Sequence, residues 1–369
     1  MTDQSDVHSP PEPPARPRKQ EQEPASDEVT EVAPGVLRTQ LPIHMPGLGH
    51  VNCYVLEDER GIAVVDPGLP GPEAWADLQD RLGRAGYRIT DVHTVIVTHS
   101  HPDHFGGAVR LRAEAEADVV THATFRTLVS DAVVTDSEDS ADLHVNDLDA
   151  QLAAIERFFK RPAPWGGTRS GPGPEFLARL RADYEAYGEF SFRVAPTRPL
   201  TDGQTIRLAR REWVALHTPG HTHDHLCLFD PEYGVMFTGD HVLPSITPHI
   251  GALNEHADPL ALFFESLNRI GAMPDVRIAL PAHGHPFADL RGRTEGIIEH
   301  HAERLDVIRR AAANLPDGTV DDFMRVLFRE RSWGDMAQSE TYAHLEHLRL
   351  SGEFVRSDEG GLARYRRAE

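Results

Sequence analysis

The chain is short of cysteine, of long apolar runs and of positive charge, and each shortage excludes a class of protein. Only Cys53 and Cys227 occur in 369 residues, too few for a disulfide framework. Both lie in apolar runs, Val51-Asn-Cys-Tyr-Val-Leu56 and Leu226-Cys-Leu-Phe229, and read as buried small hydrophobes. No run approaches the ~20 apolar residues that a membrane helix needs, and no apolar signal core precedes the body of the chain. A reducing, cytoplasmic location away from membranes is the expectation. The formal net charge is −21, which repels nucleic-acid phosphates and acidic lipid surfaces at long range. No G-x-S-x-G elbow is present to carry a serine nucleophile.

What remains is ordinary for a soluble protein with a large core: 40% hydrophobic and 26% charged residues. The length suggests roughly two domains, at about 100–200 residues each. Residues 1–29 are rich in Pro, Glu, Gln and Ser and are expected to form a disordered tail. Strand patterns then recur at residues 35–42, 51–56 and 62–66, with a helical spacing from Glu73 to Ala85 and a buried strand from Val92 to Val97. A looser stretch follows, with a helical insert over about 123–199. It contains an acidic run (131–149), two helical segments and a Gly/Pro-rich connection (162–174), and it reads either as a lid or binding loop or as a passive surface excursion. Alternation returns at residues 212–216, 226–229, 235–237 and 277–280. Asp258-Pro259 is an N-cap followed by a first-turn proline, opening a helix to Ile270. Residues 295–369 show three helical runs and two short strands around Gly360-Gly361, a small winged-helix-like unit.

The chemistry concentrates in His99-Ser-His101-Pro-Asp103-His104, three imidazoles and a carboxylate within six residues at the end of a buried strand. Neutral nitrogen and hard oxygen donors together suit zinc, iron or manganese. His221 in Thr218-Pro-Gly-His-Thr222, Asp240 in Thr238-Gly-Asp-His241 and His283 in Pro281-Ala-His-Gly284 each follow a strand as well. In a layered sheet protein such junctions converge at one edge, where ligand sites form.

This ordered set, HxHxDH, TPGHT, TGDH and PAHG, resembles the metallo-β-lactamase superfamily over about residues 31–295, with the hydroxyacylglutathione hydrolase-like branch nearest. Asp66, closing Ala63-Val-Val-Asp-Pro-Gly68, matches the family's first motif aspartate. The resemblance implies an α/β fold, a four-layered αβ/βα sandwich over residues 30–294, with the small winged-helix-like domain at 295–369. It implies two divalent metal ions, zinc first and iron or manganese as alternatives. His99, His101 and His221 would hold one ion, Asp103, His104 and His283 the other, and Asp240 would bridge them. Asp66 would orient a metal-binding histidine. Asp103 is in addition the candidate proton acceptor.

The implied activity is hydrolysis by a metal-bridging hydroxide, on a thioester or ester of a small molecule. Nothing in the Phe105–Pro199 stretch or the tail matches the branch's glutathione-binding residues, so glutathione is not assigned. Two alternatives share the fold: an endoribonuclease or phosphodiesterase, and an iron-dependent persulfide dioxygenase. A non-catalytic binding module fits poorly with so complete a ligand set. The C-terminal region resembles the extension of lactamase-like hydrolases that include endoribonucleases, but its arginines are matched by acidic residues and it has no lysine. It therefore reads as packing and as a surface for a homodimer, not as a nucleic-acid reader. His225 and His241 are candidates for substrate or ligand-supporting roles, Glu255 and His256 for lining the site. His217, His223 and His285 read as rim residues, and His300-His301 as a solvated helix face.

Overall fold

In the computed structural model, residues 19–45, 47–127, 148–167, 173–187, 194–251 and 256–369 are described. The first 18 residues, all of the acidic run 131–149 but its last two residues, and Glu255 lie outside them.

Two sheets stack face to face. The first has seven strands in chain order: β1 (Thr30–Ala33), β2 (Val36–Met45), β3 (Leu48–Asp58), β4 (Gly61–Val65), β5 (Val92–Ile96), β6 (Asp118–His122) and β7 (Arg198–Leu200). It is antiparallel to β4 and parallel beyond. The second has five, β8 (Thr205–Leu208), β9 (Arg211–His217), β10 (Leu226–Asp230), β11 (Val235–Gly239) and β12 (Ile278–Pro281), each beside the next in the chain.

Both faces of these strands are covered, so they read as apolar runs and their alternation sorts residues between layers. On β3, Val51, Cys53 and Val55 face the outer helices, while Tyr54 and Leu56 face the second sheet. On β10, Leu226 and Leu228 face inward while Cys227 and Phe229 face out. Tyr54 meets Phe237 edge-on between the sheets, at 5.1 Å between ring centres. Helices Pro72–Arg84 and Ala108–Ala115 cover the first sheet, and helices Pro259–Gly271 and Leu290–Ala311 cover the second. The four layers follow in the expected αβ/βα order.

The insert supplies helices Leu148–Phe159 and Pro174–Tyr187, whose Leu152, Ile155 and Leu180 join the core outside the first sheet. Trp165, between them, crosses to the other side of the molecule. Its carbonyl accepts from Ala363 N at 3.0 Å, and its ring lies 5.5 Å from that of Tyr342.

Two boundaries differ from expectation. Residues 19–28 are not all loose tail: Gln20–Gln22 forms a 3-10 turn, and Glu21 is fully buried. Its carboxylate accepts hydrogen bonds from Ser245 N, Ser245 Oγ and Ile246 N, which compensates its desolvation. The second is the division at 294/295, which falls inside the helix Leu290–Ala311. That helix starts early because the Asp289 side chain caps it, accepting from Gly292 N at 2.9 Å. Helices Val320–Leu327 and Asp335–Leu350 and a three-stranded sheet, β13 (Gly318–Thr319), β15 (Leu362–Arg367) and β14 (Phe354–Glu359), complete the C-terminal region. Leu305, Phe323, Leu345 and Tyr365 share one core with Leu216, Met236 and Phe263 of the second half, so the C-terminal region is continuous with it in packing.

Candidate metal centre

The strand order brings the ends of β4, β5, β11 and β12 to one edge of the sandwich, and the loops there carry the donors. Asp66 follows β4, His99 to His104 follow β5, Asp240 follows β11 and His283 follows β12; His221 sits in the connection from β9 to β10. His101 precedes a short helix, Pro102–Phe105, opened by Pro102, which turns Asp103 and His104 back toward the strand ends. Two glycines make the close approach possible. A Cβ at Gly106 would lie 2.0 Å from Pro70 N, and one at Gly239 would lie 2.6 Å from His225 Nε2.

The seven sequence-selected donors converge. His101 Nδ1 lies 3.0 Å from His99 Nε2 and 3.2 Å from His221 Nε2. Asp103 Oδ2 lies 3.4 Å from His104 Nε2 and 3.5 Å from His283 Nε2. Asp240 stands between the groups: Oδ2 is 3.7 Å from both His221 Nε2 and His104 Nε2, and Oδ1 is 3.3 Å from His283 Nε2. His99, His101, His221 and Asp240 form one group able to hold a cation, and Asp103, His104 and His283 a second.

Three histidines are held from behind. His104 Nδ1 donates to Asp66 Oδ2 at 2.9 Å, His221 Nδ1 to the His249 carbonyl at 2.7 Å, and His283 Nδ1 to the His50 carbonyl at 2.6 Å. Such bonds fix the tautomer and leave Nε2 facing the site as a lone pair. His104 Nε2, His283 Nε2 and Asp240 Oδ1 are buried without a hydrogen-bond partner among the described residues. Buried polar atoms left in this state are costly, and a divalent cation is the ligand that satisfies nitrogen and carboxylate donors together. The donor set therefore fits the implied metals.

The electrostatics differ between the groups. Burial pushes the His101 imidazole down to about 3 and lowers His99 and His221 as well, so the first group presents neutral nitrogens. Burial also lowers His104 and His283, but the Asp103 and Asp240 carboxylates outweigh it and raise both. Asp103 and Asp240 are pushed up by burial and brought below the usual carboxylate range by the same histidines.

Among the other candidates, His225 belongs to the support of the site. It is fully buried, its Nε2 accepts from the backbone N–H of Asp240 (3.1 Å) and of His241 (3.2 Å), and its ring stacks on His99. His241 is buried edge-on against Phe263 and is no rim residue. His217 stacks on His122 at 3.8 Å, His223 Nε2 donates to the Thr124 carbonyl, and His285 pairs with Glu23. His256 is exposed. His301 is fully buried rather than solvated, because the helix Asp335–Leu350 covers that face. With Glu340 and His344 it forms a third group of cation-capable donors. Most of these donors have other partners: His301 Nδ1 meets His344 Nε2 at 3.0 Å, Glu340 Oε2 faces His249 and Oε1 faces Arg304, while His301 Nε2 has no hydrogen-bond partner among the described residues.

No sequence motif points to His50, His249, Glu21 or Glu340. The first two act on the ligands through backbone carbonyls, which any residue could supply.

With this geometry in place, family membership follows from comparison. The metallo-beta-lactamase superfamily profile matches residues 46–283, and the chain belongs to that superfamily. A probable metallo-hydrolase of Bacillus subtilis is 26% identical over 311 residues, 82% of this chain and 88% of its own. An atrochrysone carboxyl ACP thioesterase of Aspergillus terreus is 32% identical over 154 residues, 41% of this chain and 44% of its own length. Among solved structures, a metallo-beta-lactamase family protein from Thermus thermophilus superposes with a TM-score of 0.71 at 29% identity, covering 92% of this chain and 100% of that one. Among the described residues, no helix is long and apolar enough to cross a membrane.

Proposed function

We propose that the protein is a binuclear metallohydrolase that cleaves a thioester or ester of a small molecule. The observation that carries this reading is the backing of His104, His221 and His283 by three separate acceptors, which presents their Nε2 atoms to one carboxylate, Asp240. His99, His101 and His221 would hold one ion, Asp103, His104 and His283 the other, with Asp240 shared. When bound, two such ions supply Lewis acidity and a water of low pKa. The chain's own part is orientation and proton handling. Asp66 and His225 keep His104 and the Asp240 backbone in place. Asp103, ionised and buried, is the carboxylate positioned to take a proton from an attacking water. Zinc is the first choice of metal and iron or manganese the alternative.

The thioester is favoured by the fungal relative whose name states that chemistry. Cleavage of RNA is disfavoured by the C-terminal arginines. Arg309 pairs with Glu353, Arg325 with Asp321, Arg349 with Glu346, and Arg364 with Asp317 and Glu359, and over residues 295–369 acidic residues outnumber arginines, so the region carries no basic excess for phosphates.

The test combines elemental analysis of the purified protein with assays on a thioester panel and on single-stranded RNA. About two zinc ions per chain, with thioester turnover abolished by chelator, is the expected result. His101→Ala should lower kcat/KM on the order of 10³-fold or more, and unchanged turnover in that variant would refute the site. A single iron without hydrolysis would move the assignment to persulfide oxidation.

A further inference from the structure

The carbonyl that backs His221 belongs to residue 249, in an irregular segment, residues 242–251, with no sheet or helix to hold it. Something else must fix its position, and side chains from distant parts of the chain do so. Near the start of the segment, Arg293 donates to the Leu243 and Ile246 carbonyls at 2.5 and 2.6 Å, and Glu21 accepts from Ser245 and Ile246. At its end, among the described residues, the His249 ring pairs with Glu340: Nδ1 lies 3.3 Å from Oε2, on the helix Asp335–Leu350. Glu340 is itself held by Arg304, on the helix Leu290–Ala311, at 3.3 Å from its other oxygen. The ring is also confined by close packing, since a Cβ at Gly251 would lie 2.8 Å from His249 Nε2 and 3.2 Å from Ser339 Oγ.

Among the described residues, the second group of donors has no such tie. His104 is backed by Asp66 at the end of β4, and His283 by His50 on β3. His50 in turn donates from Nδ1 to the Glu23 carbonyl and accepts from Gly284 N. Every one of these partners lies outside the C-terminal helices.

We propose that Glu340 is a positioning residue for His221, so that the C-terminal helices set the metal affinity of the His99/His101/His221 subsite and leave the Asp103/His104/His283 subsite unaffected. The inference rests on the two-ion reading above. It gives the C-terminal region a part in the metal centre in place of packing alone. Glu340 touches neither metal nor substrate and acts through the His249 ring and its carbonyl. Loss of a partner that orients a ligand typically costs 10–100-fold in metal affinity, and a loss of that size is expected here at one subsite only.

The experiment titrates the full-length apoprotein with cobalt(II) against a chromophoric chelator. Wild type is expected to bind two ions. Glu340→Ala should bind one as tightly as wild type and the other roughly 10–100-fold more weakly. Glu340→Gln, whose amide oxygen can still accept from His249, should recover most of the loss. In a His283→Ala background, Glu340→Ala should weaken the remaining ion; in a His221→Ala background it should change nothing. Melting of each apoprotein in chelator reports whether the fold is intact. If Glu340→Ala does not fold, Arg304→Gln, which removes the ion pair behind Glu340 together with the Arg304 contact on the Phe328 ring, makes the same comparison with the melt as its control. Two ions held as tightly as in wild type, or both weakened equally, would overturn the inference. A wild type that binds fewer than two ions would overturn the two-ion reading instead, and that outcome is read before any variant is compared.

Discussion

Asp66 shows how much one side chain can be made to carry. It is a non-glycine residue at a φ of 54°, a conformation that costs on the order of 1 kcal/mol or more and persists only where the surroundings impose it. Its two oxygens receive three donors: Thr98 N at 2.9 Å, Thr98 Oγ1 at 2.8 Å and His104 Nδ1 at 2.9 Å. Asparagine tolerates this backbone but offers one acceptor oxygen in place of two. Asp66→Asn should therefore leave the fold intact and weaken binding of the ion at His104 by roughly 10–100-fold. Calorimetric titration with zinc checks this, and unaltered affinity would mean that His104 needs no carboxylate behind it.

The same residue scale shows what was legible in the sequence. The seven donors stand in four short motifs, each after a strand, and their residue types announce the chemistry. His50 and His249 leave no such trace, because their carbonyls do the orienting. Glu21 and Glu340 meet partners that are 224 and 91 positions away in the chain, where no local pattern can register them. His301 was legible in principle: it shares a helical spacing with the buried residues Ile297, Leu305 and Ile308, and that spacing outweighs its polarity.

At the scale of elements, the short helix Pro102–Phe105 is aimed by contact with the loop after β4. Gly106 has an ordinary helical φ of −59°, so no backbone strain demands glycine there. Space does: an added Cβ would meet Pro70 N at 2.0 Å and the Leu69 carbonyl carbon at 2.2 Å. Backbone atoms cannot swing aside as a side chain would. Gly106→Ala should cost about 2 kcal/mol or more and displace Asp103 and His104 together. A lowered Tm with reduced metal content is the expected outcome; wild-type values for both would show that the loop gives way freely. The hairpins and the helix from Pro259 were readable from turn residues and caps. β7 and β8 were not, being short strands of three and four residues with exposed positions.

For the molecule as a whole, the C-terminal region is built as part of the second half, around a buried polar cluster. Burial pushes His301 down to about 2 and His344 to about 4. Burial raises Glu340, but His249 and Arg304 outweigh it and bring the carboxyl to about 2. On unfolding, each imidazole regains its ordinary value near 6.5 and Glu340 its value near 4.5. Below those values the unfolded chain takes up protons that the folded chain refuses. The stability these groups contribute is complete above pH 6.5, declines as pH falls towards 4 through the histidines, and declines further below 4.5 through Glu340. The His344 shift alone corresponds to on the order of 3 kcal/mol. Thermal melts in chelator, which removes metal loss from the comparison, should show Tm falling from about pH 7 to about pH 4. His344→Leu should flatten that fall, and an equal slope in the variant would place the acid sensitivity elsewhere.

The grip on residues 242–251 also has a meaning in time. All seven donors precede residue 284 in the chain, but the carboxylate that steadies His249 comes at position 340. A ribosome thus makes every ligand well before it makes the last support. A nascent chain halted between the two would already carry Asp103, His104 and His283 and the residues that back them, and a His221 whose carbonyl partner still lacks its anchor. On the two-ion reading proposed above, the His99/His101/His221 subsite is thus the last to gain its full support as the chain is made.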